Sequence, residues 1–119
     1  MKKPQLITNK EFGEFEVHGK KYLNMFGLKS WDVVFKFVKL EDDTLAQCSW
    51  DAGNRCATLV LNTICPLDTD IEKCALHEVL ELLMSPLEDL AMSRNVLYAD
   101  YDKEKHSVLR TFENIIGER

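Results

Sequence analysis

The sequence predicts an α+β domain: an N-terminal helix, a three-stranded antiparallel sheet, a central helix and a closing C-terminal helix. Three observations carry that expectation. Apolar residues recur at helical spacing over Asn9 to Phe26, Thr69 to Met84 and Asp100 to Ile116. Three short stretches between the first two alternate with period two, and turn-forming residues separate them. The 119 residues suit one domain spanning 1–119, long enough to bury a core. A hydrophobic share of 45% and a charged share of 29% are ordinary for a globular chain and exclude disorder.

Met1 to Leu6 reads as a flexible end. Thr8, followed three residues later by Glu11, forms a capping box that opens the first helix. Phe12, Phe15, Tyr22, Leu23 and Phe26 fall near one face of it. Gly13 and Gly19 weaken the helix, each by about 1 kcal/mol relative to Ala, and Gly27 is a natural stop. Trp31 to Val38 then alternates, with Trp31, Val33, Phe35 and Phe37 on one face. After the turn-rich Glu41-Asp42-Asp43, a second strand runs Leu45 to Trp50 with Ala46, Cys48 and Trp50 inward. Asp51-Ala52-Gly53-Asn54 is strong turn chemistry. Cys56 to Asn62 makes a third strand, Ala57, Leu59 and Leu61 alternating with Thr58 and Val60. Three short strands in succession predict an antiparallel meander.

Pro66 ends the strand region, and Thr69 with Glu72 offers a second capping box, for the central helix. Ile71, Ala75, Val79, Leu82 and Leu83 form one apolar face, and Leu76, Leu80 and Met84 extend it around most of the circumference. A helix apolar nearly all round is buried. Pro86 breaks this helix or starts another, in which Leu87, Leu90 and Ala91 continue the apolar pattern to Ser93. An irregular stretch from Asn95 to Tyr98 precedes the last helix. Its stripe is Val108, Leu109, Phe112, Ile115 and Ile116, and Gly117 closes it. His106 lies about 60° from Leu109 on the helical wheel, at the stripe's edge.

The net charge is −5, and Lys and Arg are scattered through the chain. Non-specific nucleic-acid binding needs clustered cations facing phosphates and is excluded. The apolar runs fall short of the ~18–20 residues of a membrane span, and no apolar signal-peptide core follows Met1 to Gln5. The expected setting is the cytoplasm. Cys48, Cys56, Cys65 and Cys74 contain no C-x-x-C pair, so buried free thiols are expected in a reducing compartment. Cys74 stands one turn before His77 and can face the same side.

The chemistry concentrates in His77-Glu78-Val79-Leu80-Glu81, an HExxE pattern one residue away from the HExxH of zinc peptidases. Residues four apart on a helix have Cβ atoms roughly 5–6 Å apart, so His77 and Glu81 can grip one ion. Glu78 points about 100° around the helix, toward whatever that ion binds. Composition alone gives about 0.03 chance matches to this pattern. The plain alternative is that Glu78 and Glu81 pair with lysines or face solvent while His77 is a hydrogen-bonded helix residue. A catalytic zinc takes three protein ligands and one water. Of the three histidines, His18 sits beside Gly19 without ligand geometry, and a surface or packing role suits it. His106, on an element expected to pack against the central helix, is the better third ligand. His77, Glu81 and His106 then reproduce a His₂Glu donor set, which lowers the pKa of bound water to about 7. Glu78 is the expected general base for that water. Glu113, two turns after His106, is a supporting partner, an alternative ligand or a solvated carboxylate.

LHEVLELLMSPLEDLA at Leu76 to Ala91 and EKHSVLRTFENII at Glu104 to Ile116 resemble small phage and prophage proteins proposed to be metallopeptidases, similar to the minimal HExxH, minigluzincin-like group. The resemblance covers the last half of the chain specifically. The first half matches only as a pattern, with Phe26-Gly27-Leu28 leading into Trp31 and then strands. It implies a zincin-like fold, Zn²⁺ held by His77, Glu81 and His106, Glu78 as the catalytic carboxylate, and a peptide or protein as substrate. It also implies an edge strand that holds extended substrate by backbone pairing, for which Cys56 to Asn62 is the candidate. Glu81 departs from the usual second His, and the chain is too small for an elaborate specificity cleft. An interaction protein that keeps this fold and a structural metal is the other expectation.

Overall fold

The computed structural model describes residues 4–41, 43–66, 69–93 and 98–117. In chain order they form β1 (Pro4–Leu6), α1 (Asn9–Met25), β2 (Asp32–Val38), β3 (Ala46–Asp51), β4 (Cys56–Asn62), β5 (Ile64–Pro66), α2 (Ile71–Ser93) and α3 (Tyr98–Gly117). The architecture is α+β, with three helices and a three-stranded sheet as the sequence predicts. A small second sheet was not expected: β1 pairs antiparallel with β5, so Pro4–Leu6 is a strand rather than a flexible end.

Local signals explain α1. The Thr8 hydroxyl accepts from the Glu11 N–H at 3.1 Å, and the Glu11 carboxylate accepts from the Thr8 N–H at 3.0 Å. The helix ends at a Gly27 with φ 72°, and the Leu28 N–H reaches back to the Leu23 carbonyl at 2.9 Å. Gly19, a weak point for an isolated helix, is required by packing. A Cβ there would lie 2.5 Å from Cε1 of the Phe35 ring, so α1 approaches the sheet only because this residue is glycine.

The strands bury the predicted faces, but their pairing differs from the meander. The order is β2-β4-β3. β4 pairs antiparallel with β3 and parallel with β2, from Asp32↔Cys56 to Val38↔Asn62, so the sheet is mixed. Alternation fixes which face a residue takes and not which strand lies beside it. β4 takes the centre, and its inward residues Ala57, Leu59 and Leu61 are buried where those of β2 and β3 are half-buried. The chain leaving β2 must then cross the end of β4 to reach β3. Asn62, 1% exposed at that end, fastens the crossing. Its Oδ1 accepts from the Leu40 N–H at 3.0 Å, and its Nδ2 donates to the Glu41 and Thr44 carbonyls at 3.1 and 2.6 Å.

α2 is the core helix. Its cap is Asp70, one residue later than the expected Thr69, with Oδ1 accepting from the Lys73 N–H at 3.1 Å. Ala75, Leu76, Val79, Leu80 and Leu82 are buried against α1 and the sheet. Pro86 does not break the helix. A proline cannot donate to the carbonyl four residues back, and the Ser85 hydroxyl fills that gap by donating to Leu82 O at 2.7 Å. Leu87, expected to continue the apolar face, is exposed.

α3 packs on α2 through one edge of the predicted stripe, with Leu109 buried and Ile116 against the core. Val108 and Phe112 are 40% and 41% exposed, whereas Lys105, Leu109 and Glu113 are buried. Polar groups on α2 recruit this polar-edged face, as the site geometry makes clear. The expected irregular stretch at 95–97 and the side chains of Leu90, Ala91 and Ile115 lie outside the described residues. No helix among the described residues is long and apolar enough to cross a membrane.

Candidate metal centre

His77, Glu81 and Glu88 of α2 face α3. His77 and Glu81 stand one turn apart, with Nε2 of His77 3.6 Å from Oε1 of Glu81. α3 brings His106 to the same oxygen, its Nε2 lying 3.7 Å away. One donor atom from each of the three lies within 4.8 Å of the others. A tetrahedral site with bonds of about 2.1 Å has donors roughly 3.4 Å apart, so small side-chain adjustments place all three around one ion. The predicted ligands are therefore together in space.

Each imidazole is held from behind. Nδ1 of His106 donates to the Asp102 carbonyl at 2.9 Å. Nδ1 of His77 lies 2.6 Å from Oε1 of the buried Glu113, which accepts its hydrogen bond. A carbonyl and a carboxylate can only accept, so both rings carry hydrogen on Nδ1, and each turns its Nε2 toward Glu81. Carboxylate and carbonyl support of this kind orients metal-binding histidines. Of the three roles open to Glu113, the geometry selects support of His77.

Lys105 is the member that sequence reasoning missed. Its ammonium, only 4% exposed, donates to Oε2 of Glu81 at 3.0 Å and to Oε1 of Glu88 at 2.8 Å, with Asp102 Oδ1 at 3.6 Å. Burial works against its charge, but the hydrogen bonds to Glu88 and Glu81 outweigh that and hold its pKa above the usual lysine range. The available signal was Glu81 and Glu88 seven residues apart on one face of a buried helix, two carboxylates that require a cation.

Glu78 is 7% exposed. Burial first, then the Glu81 and Glu113 carboxylates, push its pKa up to about 8, against the opposing effect of Lys105. It lines an open cleft of about 840 Å³ together with Leu45, Ala46, Cys74, His77 and Glu113. A wider groove of about 1000 Å³ along Lys39 to Gln47 contains none of the donor residues. Cys74 does face the cleft, and burial followed by the nearby Glu78 charge raises its pKa, as it does for Cys48. Both thiols are kept protonated and unreactive. All four cysteines are free, and Cys56 is exposed rather than buried.

The edge strand beside the site is β3, not Cys56 to Asn62. The latter is the central strand, paired on both sides, while β3 packs against α2 and leads into the cleft through Leu45 and Ala46. His18 lies apart from the centre, with Nδ1 3.3 Å from the Glu72 carboxylate without hydrogen-bond alignment. Comparison with protein-family models, curated proteins and solved structures finds no match to this chain.

Proposed function

We propose that this chain is a zinc-dependent hydrolase of metallopeptidase type, with His77, Glu81 and His106 as metal ligands and Glu78 as general base. One observation carries the reading: two imidazoles with fixed tautomers aim their Nε2 atoms at a single carboxylate oxygen. Three protein donors among the described residues would leave a coordination position open, as catalytic zinc sites do. The ion would supply Lewis acidity toward a water and a substrate carbonyl.

The remaining work belongs to the chain's own groups. Glu78 lines the cleft beside His77 and can accept a proton there and return it to a leaving amine. Its raised pKa holds it neutral near pH 7, and a neighbouring dication favours the ionised form that a base requires. The edge of β3 that pairs with no described strand offers backbone N–H and C=O groups to an extended peptide. Four free thiols support a reducing, cytoplasmic setting.

Metal analysis of protein purified without added metal is the test. About one zinc per chain is expected, His106→Ala should lose it, and Glu78→Gln should retain it while abolishing hydrolysis of a broad peptide library. Absence of zinc together with a melting temperature indifferent to added zinc overturns the reading. Zinc retained by a wild-type protein that cleaves nothing would instead favour an interaction protein with a structural metal.

A further inference from the structure

We infer that Lys105 is a positioning residue that holds Glu81 to the metal through one oxygen and keeps the centre mononuclear. The inference rests on the metal reading above and concerns how the site is restricted. A carboxylate has two oxygens and can chelate one cation with both or bridge two cations. In Glu81 the two are already divided. Oε1 faces the two imidazole Nε2 atoms at 3.6 and 3.7 Å, while Oε2 accepts a hydrogen bond from the Lys105 ammonium at 3.0 Å.

The ammonium is held on its other side as well. Glu88 Oε1 lies 2.8 Å from it and Asp102 Oδ1 3.6 Å. Three carboxylates therefore surround Lys105 Nζ much as they would surround a divalent ion sharing Glu81 with its neighbour. The lysine is a covalently tethered cation at that place. It draws Oε2 away from the imidazoles and occupies the place between the three carboxylates that a second metal would need. Asp102 links the two halves, since its carbonyl fixes His106 while its carboxylate lies beside Lys105. Lys105 and His106 are also adjacent in sequence, so a single turn of α3 sets both the ligand and the restriction on the other ligand.

Cobalt substitution tests this without reliance on catalysis, because visible d–d absorption is intense for four-coordinate Co²⁺ and weak at higher coordination numbers. Wild-type protein should bind one cobalt with intense bands. Lys105→Met combined with Glu88→Gln removes the cation and one of the buried charges it neutralises, which protects the fold. This variant should show a severalfold loss of visible absorption per bound cobalt, as Glu81 chelates through both oxygens, or should take up a second cobalt. Lys105→Arg, which returns a cation to Oε2, should restore the wild-type spectrum. A double variant with one cobalt and an unchanged spectrum overturns the role of Lys105 while leaving the metal site standing. Weak, high-coordinate bands in the wild type overturn it without any variant. A wild type that binds no cobalt and no zinc instead removes the metal reading itself.

Discussion

Glu78 carries a strongly perturbed carboxyl, and its position has a cost in the metal-free protein. Burial and two neighbouring carboxylates raise its pKa from 4.5 to about 8. The folded chain keeps a proton that the unfolded chain releases, so folding is favoured in full at low pH. That contribution is lost progressively as pH rises from about 4.5 to about 8, at roughly 1.4 kcal/mol per pH unit. Glu78→Gln removes the titration. With chelator present, thermal melts should therefore show the variant gaining on the wild type between pH 5 and pH 8; a constant difference at the two pH values refutes the assignment. At this scale the sequence was informative about the ligands and offered Glu113 as a support and a lysine as a partner of Glu81, without saying which lysine or which histidine. His77 and Glu81 follow from helical spacing, and His106 from its place at a stripe edge. Lys105 resembles any surface lysine until Glu81 and Glu88 are seen to lie over it.

Elements obey local rules until a distant side chain intervenes. The strand faces were legible because alternation is a local property: β4 buries its predicted residues, and those of β2 and β3 are half-buried against the core. The neighbours of β4 were not legible. They depend on Asn62 binding a loop some twenty residues away, which no short-range pattern encodes. Pro86 shows the same limit, since it reads as a helix breaker and lies inside a helix of 23 residues. The Ser85 hydroxyl explains the difference by occupying the carbonyl that the proline leaves unpaired. Ser85→Ala strands that carbonyl and should destabilise the protein by about 1–3 kcal/mol in urea titrations. Pro86→Ala in the same background restores a backbone donor and should recover most of the loss. If Ser85→Ala is neutral, the hydroxyl is not what keeps α2 continuous.

The molecule as a whole divides into a core that folds on apolar contacts and a helix that joins it through the site. Phe15, Leu59, Leu61, Val79, Leu80 and Leu82, all fully buried, come from α1, β4 and α2. α3 adds Leu109 to this core, and much of its remaining buried face is polar: Lys105 toward Glu81 and Glu88, Glu113 toward His77, and His106 toward Glu81. An apolar stripe alone could not reveal this, because Lys105 and Glu113 meet charged or polar groups on α2 that the stripe does not encode. A metal held by two ligands from α2 and one from α3 would bind only when the helices are docked. Such a ligand stabilises the docked state by about 2.7 kcal/mol at 100 times its dissociation constant. Local opening of α3 should therefore be about 100-fold rarer with zinc than without it. Hydrogen exchange measured with zinc and with chelator should show the amides of Tyr98–Gly117 exchanging faster in the metal-free protein, while those of β4 stay protected in both. His106→Ala should reproduce the metal-free pattern even with zinc present. Uniform acceleration across β4 and α3 would mean instead that the metal, if bound, supports the whole fold, and that α3 is not a separately docked element.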